Sequence, residues 1–409
     1  MAREVTAALS GIRVIELGSM IAGPFCGQLL GDFGADVVKV EDPGTGDVMR
    51  RWGRADRGTT GLWWPTIARN KRSVSIDLRC PEGQRLARRL VGSADVVVEN
   101  FRPETLERWG LGYEGVAEDN PGVVYVRLSG FGQTGPYAQR AGFGAIGEAM
   151  GGLRYVTGDP DHPPSRAGIS LGDSLAGTFG ALGALVALQE RHRSGRGQVV
   201  DVALYEAVLA VMESLIPDSA IAGHVRERSG PTLPGAAPSN AYRTADDDWV
   251  VIGANADGVF ARLVQALDLP LRDDPRFVTH EARGAHADEL DAVIETVTVR
   301  HGAGELLELL HDHGVPAGRV YRAPDILADA HVRAREAVVR MVHPDLGNYP
   351  MQAVFPRLSR TPGRVGALGP ALGEHNREVL VGELGLPDDV LLADHVRPRV
   401  PVAAGGVET

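Results

Sequence analysis

Over roughly the first 130 residues, short runs rich in Val and Ile alternate with stretches of helical spacing, the pattern of a parallel sheet with crossover helices. Residues 12–17 (IRVIEL) predict one strand and residues 36–41 (DVVKVE) the next. Between them IAGPFCGQLLGDFGA predicts a helix entered at Gly23-Pro24 and left at Gly34. Residues 73–78, 95–99 and 123–128 predict three further strands, separated by helices over PEGQRLARRLVGS and ETLERWG. The expected fold class is therefore α/β, with a Rossmann-like parallel sheet as the centre of a large domain.

Residues 173–191 are rich in Ala, Gly and Leu and predict a small-residue helix that packs closely on its neighbours. The segment VVDVALYEAVLAVMES then predicts a strand and another helix. A Gly/Pro-rich stretch, residues 228–242 (RSGPTLPGAAPSNAY), breaks all periodicity and reads as a linker. Beyond it come a strand at 249–254, helices near 258–267 and 288–300, ELLELLHDHG, a helix around 325–336 and a Pro-rich tail at 356–370. The expected division is residues 1–225 for the first part of the large domain and 226–330 for a smaller α+β domain. Residues 331–409 are expected to return and complete the large one.

Composition narrows the function. With 42 Lys+Arg against 53 Asp+Glu the net charge is −11, which argues against nucleic acid as a partner because a phosphate backbone asks for a basic stripe. Almost all the positive charge is arginine, since the only lysines are Lys39 and Lys71. Neither follows a glycine, so a P-loop is excluded, and each reads as a solvated or anion-facing charge rather than an imine former. Cys26 and Cys80 cannot build a disulfide framework, which suits a reducing compartment. The opening MAREVTAALSGIRVIEL has no leader pattern and no run of 18 apolar residues occurs, so the expectation is a cytoplasmic protein with no membrane partner.

A strand–helix–strand unit ending in Glu41 invites a dinucleotide reading, but the glycines of Gly18-Ser-Met-Ile-Ala-Gly23-Pro-Phe-Cys-Gly27 have the wrong spacing and Pro24 removes a donor. No NAD is expected. His311 and His313, two apart on a helix, point to different faces, and no metal is expected there. Polar turns fall near successive strand ends: residues 70–73 (NKRS), Arg79, residues 100–103 (NFRP) and Arg108. They could hold a phosphate-bearing ligand with Phe101 as a stacking face, or form a solvated rim. The Gly-rich residues 129–137 (SGFGQTGPY) permit close approach to a ligand or a flexible connection. Asp173 opens the small-residue helix. As an N-cap it needs no catalytic explanation, and as a carboxylate favoured by the helix dipole it could be a nucleophile.

In order along the chain, LSGIRVIELGSMIAGPFCGQLLGDFGADVVKVEDPGTGD, NKRSVSIDL, PEGQRLARRL, ADVVVENFRP, SGFGQTGPY, GDSLAGTFGALGALVAL and SGRGQVVDVALYEAV resemble the class III CoA-transferases, also called the CaiB/BaiF family. The resemblance covers roughly the first 210 residues densely and continues more loosely to about residue 380. It implies a coenzyme A groove lined by Ile21, Ala22, Ile76, Asp77, Leu78, Arg79, Asn100, Phe101, Arg102 and Arg108, with Asp173 of GDSLAG as the catalytic aspartate. It further implies an acyl-CoA and a small carboxylic acid as substrates, aspartyl anhydride and aspartyl-CoA intermediates, no metal, and an interlocked homodimer. The α-methylacyl-CoA racemases, similar over the same region, place a histidine base just after the R-A-G that here is Arg140-Ala141-Gly142. This chain has Phe143 there, and a phenyl ring cannot exchange a proton with a substrate, which favours a transferase. Asp42 stands where some members carry an arginine for CoA, and Ala141 where some carry a lysine. An acyl-CoA racemase with another base, or a CoA-binding protein in which Asp173 only caps its helix, are the other readings.

Overall fold

The computed structural model describes residues 7–53 and 61–399; the opening residues MAREVT, on which the leader reading partly rests, lie outside them. The chain forms two compact units. One comprises Met1–Leu153, Ala167–Ser214 and Arg335–Thr409, the other Arg154–Arg166 and Leu215–Ala334. The second unit thus begins before the expected residue 226 and takes in residues 154–166, which the pattern had assigned to the large domain.

In the first unit β1 (Arg13–Glu16), β2 (Asp36–Glu41), β3 (Lys71–Ser75), β4 (Val96–Glu99), β5 (Val124–Ser129) and β6 (Val199–Ala203) form one sheet in the order β3-β2-β1-β4-β5-β6, every pair parallel. The helices of this part of the chain are α1 (Ala22–Asp32), α2 (Trp64–Ile67), α3 (Pro81–Gly92), α4 (Thr105–Arg108), α5 (Tyr113–Asp119), α6 (Gly144–Met150), α7 (Leu153–Val156, which belongs to the second unit from Arg154 on), α8 (Leu171–Ser194) and, after β6, α9 (Leu204–Leu209). β3 starts earlier than the apolar pattern indicated, so Lys71 and Arg72 belong to the strand and residues 76–79 leave it.

Alternate residues of each strand face opposite sides. Ile15, Val38, Val40, Val74 and Val97 pack with Leu86 and Leu90 of α3 on one face. Val14, Val37, Val96, Val124 and Val126 pack on the other with Ala22, Cys26 and Leu30 of α1 and Ala176, Ala181 and Ala184 of α8. By length and composition α8 could cross a membrane. Its small residues serve close packing instead: a Cβ placed on Gly177 would lie 2.8 Å from the Ala22 carbonyl oxygen.

The second unit has its own antiparallel sheet, β7 (Ser239–Arg243), β8 (Trp249–Gly253) and β9 (Ala317–Arg319). Its core joins Val250 and Ile252 to Phe260, Leu263, Leu290, Ile294, Leu306 and Leu310 from α11 (Asp257–Ala266), α13 (Ala287–Thr298) and α14 (Ala303–Asp312); α10 (Leu215–Ala222) and α12 (His280–Ala285) complete this series. His311 and His313 are each hydrogen-bonded to a backbone carbonyl, Ala317 at 3.1 Å and Leu309 at 2.9 Å. The helix expected around 325–336 is two, Ala323–Ala328 and Ala330–Ala334, because Asp329 leaves helical geometry between them and accepts from Val332 N at 2.8 Å. The returning segment adds a hairpin, β10 (Val338–His343) with β11 (Gly347–Gln352), and buries Val379 and Leu380 in the first unit's core.

Candidate active site

Strand order reverses between β1 and β4, and in an open parallel sheet the crevice at the carboxyl ends of such strands takes the ligand. A cleft of about 300 Å³ lies there. Leu17, Gly18 and Ser19 line it after β1, Asp42 after β2, residues 76–79 after β3, and Phe101 and Trp109 beyond β4. Ile76, Asp77, Leu78, Arg79 and Phe101 are thus brought together, and Phe101 packs edge-on against Trp109 with ring centroids 5.3 Å apart.

The other candidates sit differently. Asn100 acts on the cleft through the β1–α1 turn, accepting from Ser19 N and donating to Ser19 O, both at 2.8 Å. Ile21 lines a second, apolar groove, and Ala22 is buried against α8 as the first residue of α1. Arg102 and Arg108 are exposed and not part of the cleft lining; Arg108 donates to Thr105 Oγ1 at 3.1 Å.

Nor do Arg72 and Arg79 offer free charges to a phosphate. Arg72 lies at the far end of β3, bound to Asp36, Glu378 and Glu383. Arg79 is at the rim but pairs with Asp42 and, at 2.8 Å, with Asp77, whose carboxyl the Arg79 hydrogen bond holds below the ordinary range. Glu41, the residue that invited a ribose, takes Arg50 at 2.7 Å, Ser73 Oγ at 2.6 Å and Asp47 N at 2.9 Å.

Lys39 and Lys71, read as solvated or anion-facing, are fully buried and share Glu16, at 2.9 and 2.7 Å. Burial alone would raise the Glu16 carboxyl, but the two ammonium groups outweigh it and hold it below the ordinary range.

Asp173 is not the N-cap of α8. Ser170 takes that place and Asp173 is the third helical residue, half-buried in the first turn, where the helix dipole favours a negative charge. Its carboxylate lies on the first residue of α6: a Cβ on Gly144 would be 2.0 Å from Oδ2. Beside it the buried Glu148, also on α6, accepts from Gly172 N at 3.3 Å.

The Gly-rich segment after β5 closes back on this wall. A Cβ on Gly130 would lie 2.8 Å from Gly142 Cα, and Gln133 N donates to Asp201 at 3.0 Å. Phe143, 63% exposed, is the N-cap of α6 and so adjoins Gly144. Sequence reasoning missed Gly144 and Glu148 as parts of the Asp173 site. Their four-residue spacing puts both on one helix face, a signal readable only once α6 is recognised as a helix.

A model of CoA-transferase family III matches residues 9–376. The chain belongs to CoA-transferase family III. It is 59% identical to the succinyl-CoA--D-citramalate CoA-transferase of Chloroflexus aurantiacus, over 94% of this chain and 96% of that protein. It is 39% identical to the succinate--glutarate CoA-transferase of Agrobacterium fabrum, over 91% and 94%. A crystal structure of a CAIB/BAIF family protein from Brucella suis superposes with a TM-score of 0.82 at 35% identity, covering 92% of this chain and 99% of that one. These relatives are transferases or bear the family name, and neither named enzyme is a racemase. This family III chain is accordingly a CoA-transferase acting on acyl-CoA.

Proposed function

We propose that this CoA-transferase moves coenzyme A from succinyl-CoA to another small dicarboxylic acid, with Asp173 as the covalent carrier. The observation that carries the reading is the Asp173 carboxylate in the first turn of α8, set against a wall where only a glycine backbone fits. The relatives' named substrates, citramalate and glutarate, support the dicarboxylate class.

Asp173 attacks the thioester carbonyl, the C–S bond breaks, and the products are an acyl-aspartyl anhydride and CoA thiolate. The thiolate attacks the aspartyl carbonyl, freeing the first acid and leaving an aspartyl-CoA thioester. The acceptor carboxylate then displaces the thiolate to form its own anhydride with Asp173. Attack of the thiolate on the acceptor's carbonyl delivers the new acyl-CoA and regenerates the carboxylate. Every step exchanges acyl groups of similar activation, so neither ATP nor a metal enters the balance. The cleft formed by residues 76–79 and Phe101 is the proposed seat of CoA.

The partner is a second copy of the chain. An apolar groove of about 890 Å³, in which Leu182, Leu185 and Phe355 are exposed beside Phe25 and Trp63, supports this, since contiguous exposed apolar side chains mark interaction faces. Two free thiols, one of them buried, suit a cytoplasmic setting.

Incubation with succinyl-CoA followed by hydroxylamine is expected to leave a hydroxamate at Asp173, located by peptide mass spectrometry, and Asp173→Ala is expected to abolish exchange. An unmodified Asp173 together with undiminished turnover in Asp173→Ala would overturn the proposal.

A further inference from the structure

The turn between β1 and α1, residues 18–20, is held by three side chains from three places in the chain. Lys39 Nζ donates to Gly18 O at 2.8 Å and to Glu16 Oε1 at 2.9 Å, and forms an ion pair with Asp47 Oδ2 at 2.8 Å. Asn100 closes on both backbone groups of Ser19. Asp47 Oδ1 accepts from Met20 N at 3.2 Å and from Met49 N at 2.9 Å. Below, Lys71 joins Glu16 Oε2 at 2.7 Å to Pro24 O in the first turn of α1 at 2.6 Å. The helix rests directly on that carboxylate, since a Cβ on Gly27 would fall 2.0 Å from it. Lys39 therefore braces the turn itself, and Lys71 the start of the helix that follows it.

Within this clamp Met20 has φ 67°, a left-handed conformation that glycine adopts freely and an L side chain only at a cost. Such a residue persists where its surroundings over-determine it, and these sites gather at functional centres. On one side of Met20, Leu17, Gly18 and Ser19 line the cleft. On the other, Ala22 packs on Gly177, one helical turn beyond Asp173 on α8.

We propose that Lys39, Asp47 and Asn100 are positioning residues for CoA transfer: by holding Met20 in its left-handed conformation they set the cleft wall in register with the helix that carries Asp173. This rests on the reading that the cleft holds acyl-CoA and that Asp173 reacts with it. A small loss of register is costly in a reaction that depends on near-attack geometry.

The test is a pair of variants, each made with and without Met20→Gly. Asp47→Asn keeps an acceptor for the Met20 and Met49 N–H groups and removes the charge that anchors Lys39. Asn100→Ala frees Ser19 while leaving the buried charges intact, and so stands if Asp47→Asn fails to fold. Each single variant is expected to lower kcat, and the rate at which the hydroxylamine-trapped Asp173 adduct forms at saturating succinyl-CoA, by about tenfold, with KM changed less than threefold. Adding Met20→Gly is expected to recover most of that loss, because glycine takes the turn conformation unaided. Folded single variants with wild-type kcat, or a kcat loss that Met20→Gly does not relieve, would overturn the positioning role while leaving the Asp173 chemistry standing. A wild-type protein that forms no Asp173 adduct would overturn the underlying reading and this inference with it.

Discussion

One missing methyl group at Gly144 decides where the Asp173 carboxylate can lie. Any side chain there would collide with Oδ2 at 2.0 Å, and the neighbour that must give way is the carboxylate proposed to react. Gly144→Ala is expected to leave the fold intact and lower kcat about a hundredfold, the scale of a displacement of roughly 1 Å at a reacting centre. Steady-state kinetics beside a thermal melt would separate the two effects. From the residues alone Asp173 could be a cap or a nucleophile, and only the ordered motifs of a known family singled it out. The structure moves it from N-cap to the third helical position, a difference of one turn's geometry that no composition or spacing encodes. Gly144 stood in view as the residue after Phe143, but its partner is 29 positions further on, and contacts at that range leave no trace in a local pattern.

Among the elements, α1 and α8 are set by small residues at their contact. Gly177→Ala would place a methyl 2.8 Å from Ala22 O and 3.2 Å from Cys26 N. Overpacking of this kind costs about 1–3 kcal/mol, to be read as a lower urea midpoint at unchanged slope. The Ala/Gly pattern of residues 173–191 foretold close packing correctly, and β2 spans the residues its valines indicate. β3 was misread at its start for a physical reason. Lys71 and Arg72 look like a solvated turn, yet α1 covers that face of the sheet and Glu16 awaits the lysine, so polar residues lie inside a strand. Alternation such as VVKVE signals one wet face only when nothing is folded over it. The register that aligns Glu16 with Lys39 is a tertiary fact.

At the scale of the whole molecule, buried carboxyls govern how stability varies with pH. Glu99 on β4 is pushed up to about 7 by burial, against the opposing pull of Arg127 at 2.7 Å. The folded chain therefore keeps a proton that the unfolded chain releases near pH 4.3, and stability falls as pH rises from there to about 7, by at most about 1.4 kcal/mol per pH unit. Glu16 and Asp47 are held low, so what they contribute is present above the unfolded carboxylate range and lost as pH falls below it. Denaturant midpoints of the wild type are expected to drop between pH 5 and 8, and those of Glu99→Gln to drop less. A pH-independent difference between the two proteins would refute the assignment. The burial of both lysines has one more consequence. Acyl thioesters acylate free amines without any enzyme, and a protein that binds them is exposed to damage by its own substrate. Here both ε-amines are buried, since the sequence holds only Lys39, held by Glu16 and Asp47, and Lys71, held by Glu16 and the Pro24 carbonyl. Native protein incubated with an excess of succinyl-CoA or an N-hydroxysuccinimide ester is expected to show neither lysine modified, whereas the same treatment in guanidinium should modify both. The fold thus keeps its lysine side chains out of reach of the reagent it exists to handle.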